Sequence, residues 1–162
     1  MTRTVLLFVS LLLPLASAGQ PPSQGGRDGG WFTIGAGTGD PHGTAIMTTA
    51  NFGRARFAQV GLHASRRFNT LDTSPVLSAF HAGGGLSRVD RWSRLAVAVG
   101  PALVFERDDA LAEHQAVGVL VNAQAAFTPI PEIGLGLDLY AHTSGAGRGY
   151  GLGVTLVFER NK

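Results

Sequence analysis

The chain has 162 residues, of which 44% are hydrophobic and only 15% charged, with a net charge of +2 and no cysteine. That length suits one domain, and the missing cysteines exclude a disulfide framework and leave no thiol to carry a lipid. The basic residues are arginines scattered among predicted turns, with Lys162 the only lysine, which excludes a nucleic-acid footprint.

The first stretch reads as a targeting segment. Arg3 gives a positive start, Val5 to Leu15 is an apolar run, and Ala16-Ser17-Ala18 offers small residues for cleavage. Residues 1–18 are therefore predicted to be a signal peptide removed near Ala18. The run is shorter than the ~20 residues of a membrane-crossing helix, and no later segment stays apolar for that long. Gly19 to Gly30 is Gly, Pro, Gln and Ser without apolar periodicity, so 19–30 is predicted to be a flexible leader before a barrel domain at 31–160.

Eight strands are predicted in that domain, at Trp31–Gly37, Thr44–Phe52, Arg56–Arg67, Val76–Leu86, Arg94–Phe105, Gln115–Phe127, Ile133–Thr143 and Gly149–Phe158. Breakers such as Asp40-Pro41-His42-Gly43, Asn51 to Arg54, Arg88 to Trp92 and Ser144 to Gly147 separate them. Gly83-Gly84-Gly85 interrupts the fourth strand and is expected to mark a bend or bulge. The alternation is clearest in the last third. Val117, Val119, Val121, Ala123, Ala125 and Phe127 form one row, followed by Ile133, Leu135, Leu137 and Leu139, then Tyr150, Leu152, Val154, Leu156 and Phe158.

A period of two over about ten residues, repeated along the chain, is the signature of a transmembrane β-barrel. Charge placement supports it, because ionisable residues gather at turns and strand ends, with Asp138 the one mid-strand carboxylate. Lys or Arg on the lipid face at mid-depth would cost about 2–4 kcal/mol. Aromatic residues fall near strand ends, so Trp31, Phe52, Phe57, Trp92, Phe127 and Phe158 are expected in one interface girdle. Phe68, Phe105 and Tyr150 are expected in the other. The opposite row is small and polar, as the narrow interior of eight strands requires. Its expected lumen residues are Asn51, Gln59, His63, His81, Arg94, Asn122, Gln124, Asp138, Tyr140 and His142, hydrogen-bonded into a plug. The fold class is thus an all-β, antiparallel up-and-down transmembrane barrel of about eight strands, with both termini on one side.

On this pattern the chain resembles the small eight-stranded outer-membrane β-barrels of Gram-negative bacteria, the OmpA/OmpX-like group. The resemblance implies an outer-membrane location, lipid and the barrel-assembly machinery as partners, and a monomer. Such barrels end in an alternating strand with a terminal aromatic. Tyr150, Leu152, Val154, Leu156 and Phe158 match that strand, and Glu159-Arg160-Asn161-Lys162 run past its aromatic.

Three further readings have a footing in particular residues. His142-Thr143-Ser144 is similar to the His-x-Ser of outer-membrane lipid A 3-O-deacylases, which implies His142 as base and Ser144 as nucleophile. Their third member, a carboxylate on the next strand, has no counterpart between Tyr150 and Phe158. A soluble periplasmic barrel binding an apolar ligand would turn the apolar row inward. A metal site from His63, His81 and His142 would require those side chains to converge. The residues alone assign no cofactor or metal, and Gly35-Ala36-Gly37-Thr38-Gly39 is no phosphate loop, since neither lysine nor a helical pattern follows it.

Overall fold

A computed structural model of the chain describes residues 29–40, 43–66, 77–107, 113–130, 132–145 and 147–160. The expected signal peptide, most of the leader and Phe68 lie outside the described residues. The strands are β1 (Gly30–Asp40), β2 (Gly43–Gly53), β3 (Arg56–Arg66), β4 (Leu77–Val89), β5 (Ser93–Arg107), β6 (Glu113–Ile130), β7 (Ile133–Ser144) and β8 (Arg148–Arg160). Each pairs antiparallel with the next, and β8 pairs with β1, closing the barrel. Closure leaves no strand edge along the wall, the condition for a sheet to sit in hydrocarbon.

Most strands run further than their alternating cores suggest, because pairing continues past the last apolar residue of a row. The triple glycine makes no bulge: His81↔Ala102 and Gly84↔Val99 keep one register across it. Among the described residues the register shifts between Phe127 and Ile130, where β6 meets β7.

The stagger can be followed residue by residue. Gly30 faces Phe52, which faces Ala58, then Gly84, Val99, Val121, Ala141 and Tyr150, and Tyr150 faces Asp40. One circuit therefore climbs almost the whole 11-residue length of β1. Such a stagger tilts the strands and sets the width of the lumen.

At the end holding Gly30 and Arg160 the joints are tight, at 54–55, 90–92 and 131–132. Gly53 takes a positive φ of 121° to enter the first of them. The opposite end carries the longer separations, 67–76 and 108–112, and there β5 and β6 project furthest. Glu113 to Val117 rise past the last β7 partner, since pairing of β6 with β7 starts at Gly118 and Ser144.

The pleat sorts the side chains as a lipid-solvated barrel demands. Phe80, Val99, Leu135, Leu137, Leu152, Val154 and Leu156 are exposed on the outer surface, whereas an aqueous barrel would cover such a row. Apolar residues facing outward are the reverse of the soluble, ligand-binding arrangement.

Candidate functional site in the barrel lumen

All ten expected lumen residues face inward and are buried. Six of them, with Trp31, Thr33 and Thr49, form one connected hydrogen-bond network. His81 Nε2 donates to Gln59 Oε1 at 2.8 Å, and Gln59 Nε2 donates to Asn51 Oδ1 at 2.7 Å and Asn122 Oδ1 at 3.0 Å. Asn122 Nδ2 donates to Asp138 Oδ1 at 2.5 Å, and Gln124 Nε2 donates to Asp138 Oδ2 at 2.9 Å. Gln124 also donates to Thr49 Oγ1 at 2.8 Å while its Oε1 accepts from Trp31 Nε1 at 2.9 Å. Asn51 Nδ2 reaches Thr49 Oγ1 at 2.9 Å. The Thr49 hydroxyl, already accepting twice, spends its proton on Thr33 Oγ1 at 2.8 Å.

Two amides end their donor chains on Asp138: Gln59 donates to Asn122, which donates to Asp138, and Gln124 donates to Asp138 directly. A buried carboxylate is tolerated when charge-assisted hydrogen bonds replace its water, and the two amides supply them. His63 Nε2 lies 3.8 Å from Asp138 Oδ1, beyond hydrogen-bond reach. The His63 ring instead packs against Tyr140 at 4.3 Å and His81 at 5.2 Å between centroids.

Arg94 stands apart, at the mouth beside the termini. Its Nε donates to Glu159 Oε1 at 3.1 Å, and its guanidinium lies 4.0 Å from the centroid of the Trp31 ring. Trp31 in turn meets Phe57 edge-on at 4.7 Å. Toward the other mouth the lumen becomes apolar, with Ala45, Met47, Leu77, Ala79, Ala102, Val104 and Leu120 around Tyr140. His142 lies above them, outside the network. Its two ring nitrogens and those of His63 have no hydrogen-bond partner.

Two expected girdle residues are misplaced by the sequence reading. Trp31, 3% exposed, and Phe57, 6% exposed, point into the lumen rather than to the interface. Nearness to a strand end suggested the girdle, but the pleat decides the face. Trp31 is out of phase with outward Phe32 and Ile34, and Phe57 with outward Ala58 and Val60. Phe52, Trp92, Phe105, Phe127, Tyr150 and Phe158 do face outward. Phe32, which the sequence reading did not single out, joins them by packing against Phe158 at 6.3 Å.

Thr33, Thr49 and Glu159 were also not singled out. The two threonines share the parity of Trp31 and Asn51, the signal that locates them. Glu159 lies beyond the last aromatic, where β8 continues inward-facing for one more position.

His142 and Ser144 share the inward parity of β7, away from lipid, and His142 makes no hydrogen bond to Ser144. Ser144 Oγ contacts Gly147 O at 3.4 Å within the turn. Among the described residues no three His, Asp or Glu side chains converge to hold a metal ion, so His63, His81 and His142 form no metal centre together.

No protein-family model matches this sequence, and no curated protein does. Solved structures do. The N-terminal β-barrel domain of Pseudomonas aeruginosa OprF matches with a TM-score of 0.65 at 8% identity, covering 84% of this chain and 100% of that one. Ail, the attachment invasion locus protein of Yersinia pestis, matches at 0.54 with 10% identity, over 83% of this chain and 100% of that one. Neisserial surface protein A matches at 0.55 with 10% identity, over 80% and 94%. The closed ring of strands, its outward apolar wall and these likenesses agree: the chain has the fold of the small eight-stranded outer-membrane β-barrels.

Proposed function

We propose that this protein is an integral outer-membrane barrel of a Gram-negative envelope, exported by a signal peptide cleaved near Ala18, with a plugged lumen and a structural or surface-interaction role. The observation that carries the reading is the network converging on Asp138. It crosses the lumen from β1, β2, β3 and β4 to β6 and β7, and Trp31 and Phe57 fill the level beneath it. A barrel whose interior is committed to side-chain pairing has no width left for solute passage. The partners that suit it are outer-membrane lipid along the wall and the barrel-assembly machinery at β8, and closure within one chain suits a monomer.

Deacylation has less support. His142 and Ser144 lie on the lumen side of the wall, and an acyl chain in the bilayer would have to cross the barrel to meet them.

Planar-bilayer recording tests the plugged reading. The protein as folded should give no sustained current, and Asp138→Ala, which strips Asn122 and Gln124 of their acceptor, should give intermittent openings. A steady open level from the unaltered protein would contradict the proposal.

A further inference from the structure

At the mouth opposite the termini a small cavity of about 20 Å³ is lined by Leu77, Val104, Glu106, His142, Gly147 and Arg148. That is room for about one water or one ion. His142 closes its lumen side. The residue is 5% exposed, and neither ring nitrogen has a hydrogen-bond partner. Buried imidazole nitrogens nearly always find partners, so a ring with both unmatched, on the wall of a cavity this size that Glu106 also lines, marks a place that a bound species completes. The ring is held in position: it packs against Gly149, its register partner on β8, where a Cβ would collide with Nε2. The Glu106 carboxylate lines the same cavity, with Oε2 3.8 Å from where a Gly147 Cβ would stand.

We propose that this cavity binds a single divalent first-row transition-metal ion of the Zn²⁺ or Cu²⁺ type, through a His142 ring nitrogen and the Glu106 carboxylate, with water completing the coordination. A neutral imidazole beside a carboxylate suits these ions, whereas Mg²⁺ and Ca²⁺ prefer all-oxygen sets. The carboxylate also disfavours a small anion, the occupant that Arg148 would otherwise recommend. Arg148 is exposed at the start of β8, so its charge is screened by solvent. With two protein donors the remaining positions stay with water, and the ion exchanges with the medium on the loop side.

The test is titration of the untagged protein in detergent micelles with Zn²⁺ by calorimetry and with Cu²⁺ by electron paramagnetic resonance. One ion should bind per chain, the Cu²⁺ spectrum should carry imidazole nitrogen hyperfine structure, and His142→Gln should weaken binding about tenfold or more. Glu106→Gln should weaken it less. His114→Gln, on the exposed start of β6 at the same end, should leave it unchanged. If His142→Gln does not fold, histidine ring resonances of the unaltered protein decide: Zn²⁺ should shift those of His142 and spare those of His114. Absence of saturable one-to-one binding, binding that survives His142→Gln in folded protein, or a shift confined to His114 would overturn the proposal.

Discussion

The phenol ring of Tyr140 on β7 lies over Gly151, its register partner on β8, in the space a Cβ there would need. The same arrangement recurs around the wall. Phe57 covers Gly85, His81 covers Gly61 and His142 covers Gly149, each pair matched across two neighbouring strands. Eight strands enclose a lumen that side chains barely fit, so each of these four large inward residues is admitted by a glycine beside it. This pairing, rather than backbone freedom, explains Gly61, Gly85, Gly149 and Gly151.

Gly151→Ala should therefore destabilise the barrel, because the new methyl collides with the buried Tyr140 ring. Overpacking of this kind costs about 1–3 kcal/mol. Gly84→Ala is the matched control on the outer face, where the nearest atom to an added Cβ is Phe57 O at 3.8 Å. Urea unfolding in detergent should lower the midpoint for Gly151→Ala and leave it nearly unmoved for Gly84→Ala.

The wall was legible in the sequence and the interior only half so. Period-two rows such as Leu135, Leu137 and Leu139 announce a face wherever one side of a strand is uniformly apolar. Parity alone also brings Asn122, Gln124 and Asp138 to the lumen. It does not say that Asn122 meets Gln59 or that Gln124 meets Thr49, since those contacts cross the barrel and depend on the stagger, which no single strand encodes. Trp31 and Phe57 lie near strand ends but on the inward phase of the pleat, and phase decides the face. The Arg94–Glu159 pair was hidden for a related reason: it joins β5 to β8 across the mouth, and Glu159 sits past the residue taken as the strand's end.

Arg94 and Glu159 should behave as a coupled pair. Their side chains are 5% and 8% exposed, so either one left alone is a poorly solvated charge. Arg94→Met is expected to cost about 3 kcal/mol, with loss of the contact to Trp31 included. A double-mutant cycle with Glu159→Leu checks the coupling: the pair of changes together should cost clearly less than the two single costs added.

The chain contains two tryptophans, and the structure sends them to opposite sides of the wall. Trp92 is 47% exposed and outward, and Trp31 is inward. In bilayers of brominated lipid, the Trp31→Phe variant, which retains Trp92, should be quenched strongly. Trp92→Phe, which retains Trp31, should be quenched weakly. Equal quenching of the two would contradict the placement of Trp31 in the lumen.

The claim that the alternating wall faces hydrocarbon is tested most directly by spin labels on β6, a scan made simple by a cysteine-free chain. Single cysteines would replace Val119, Asn122, Ala123 and Phe127 in turn, each labelled and refolded into bilayers. Collision with oxygen, which concentrates in lipid, should be high at Val119 and Ala123 and lower at Phe127 near the interface. Collision with a water-soluble nickel chelate should be low at both mid-wall outward sites. The label at Asn122, facing the packed lumen, should be nearly inaccessible to both. High nickel accessibility at Val119 and Ala123, with no alternation at Asn122, would contradict the account.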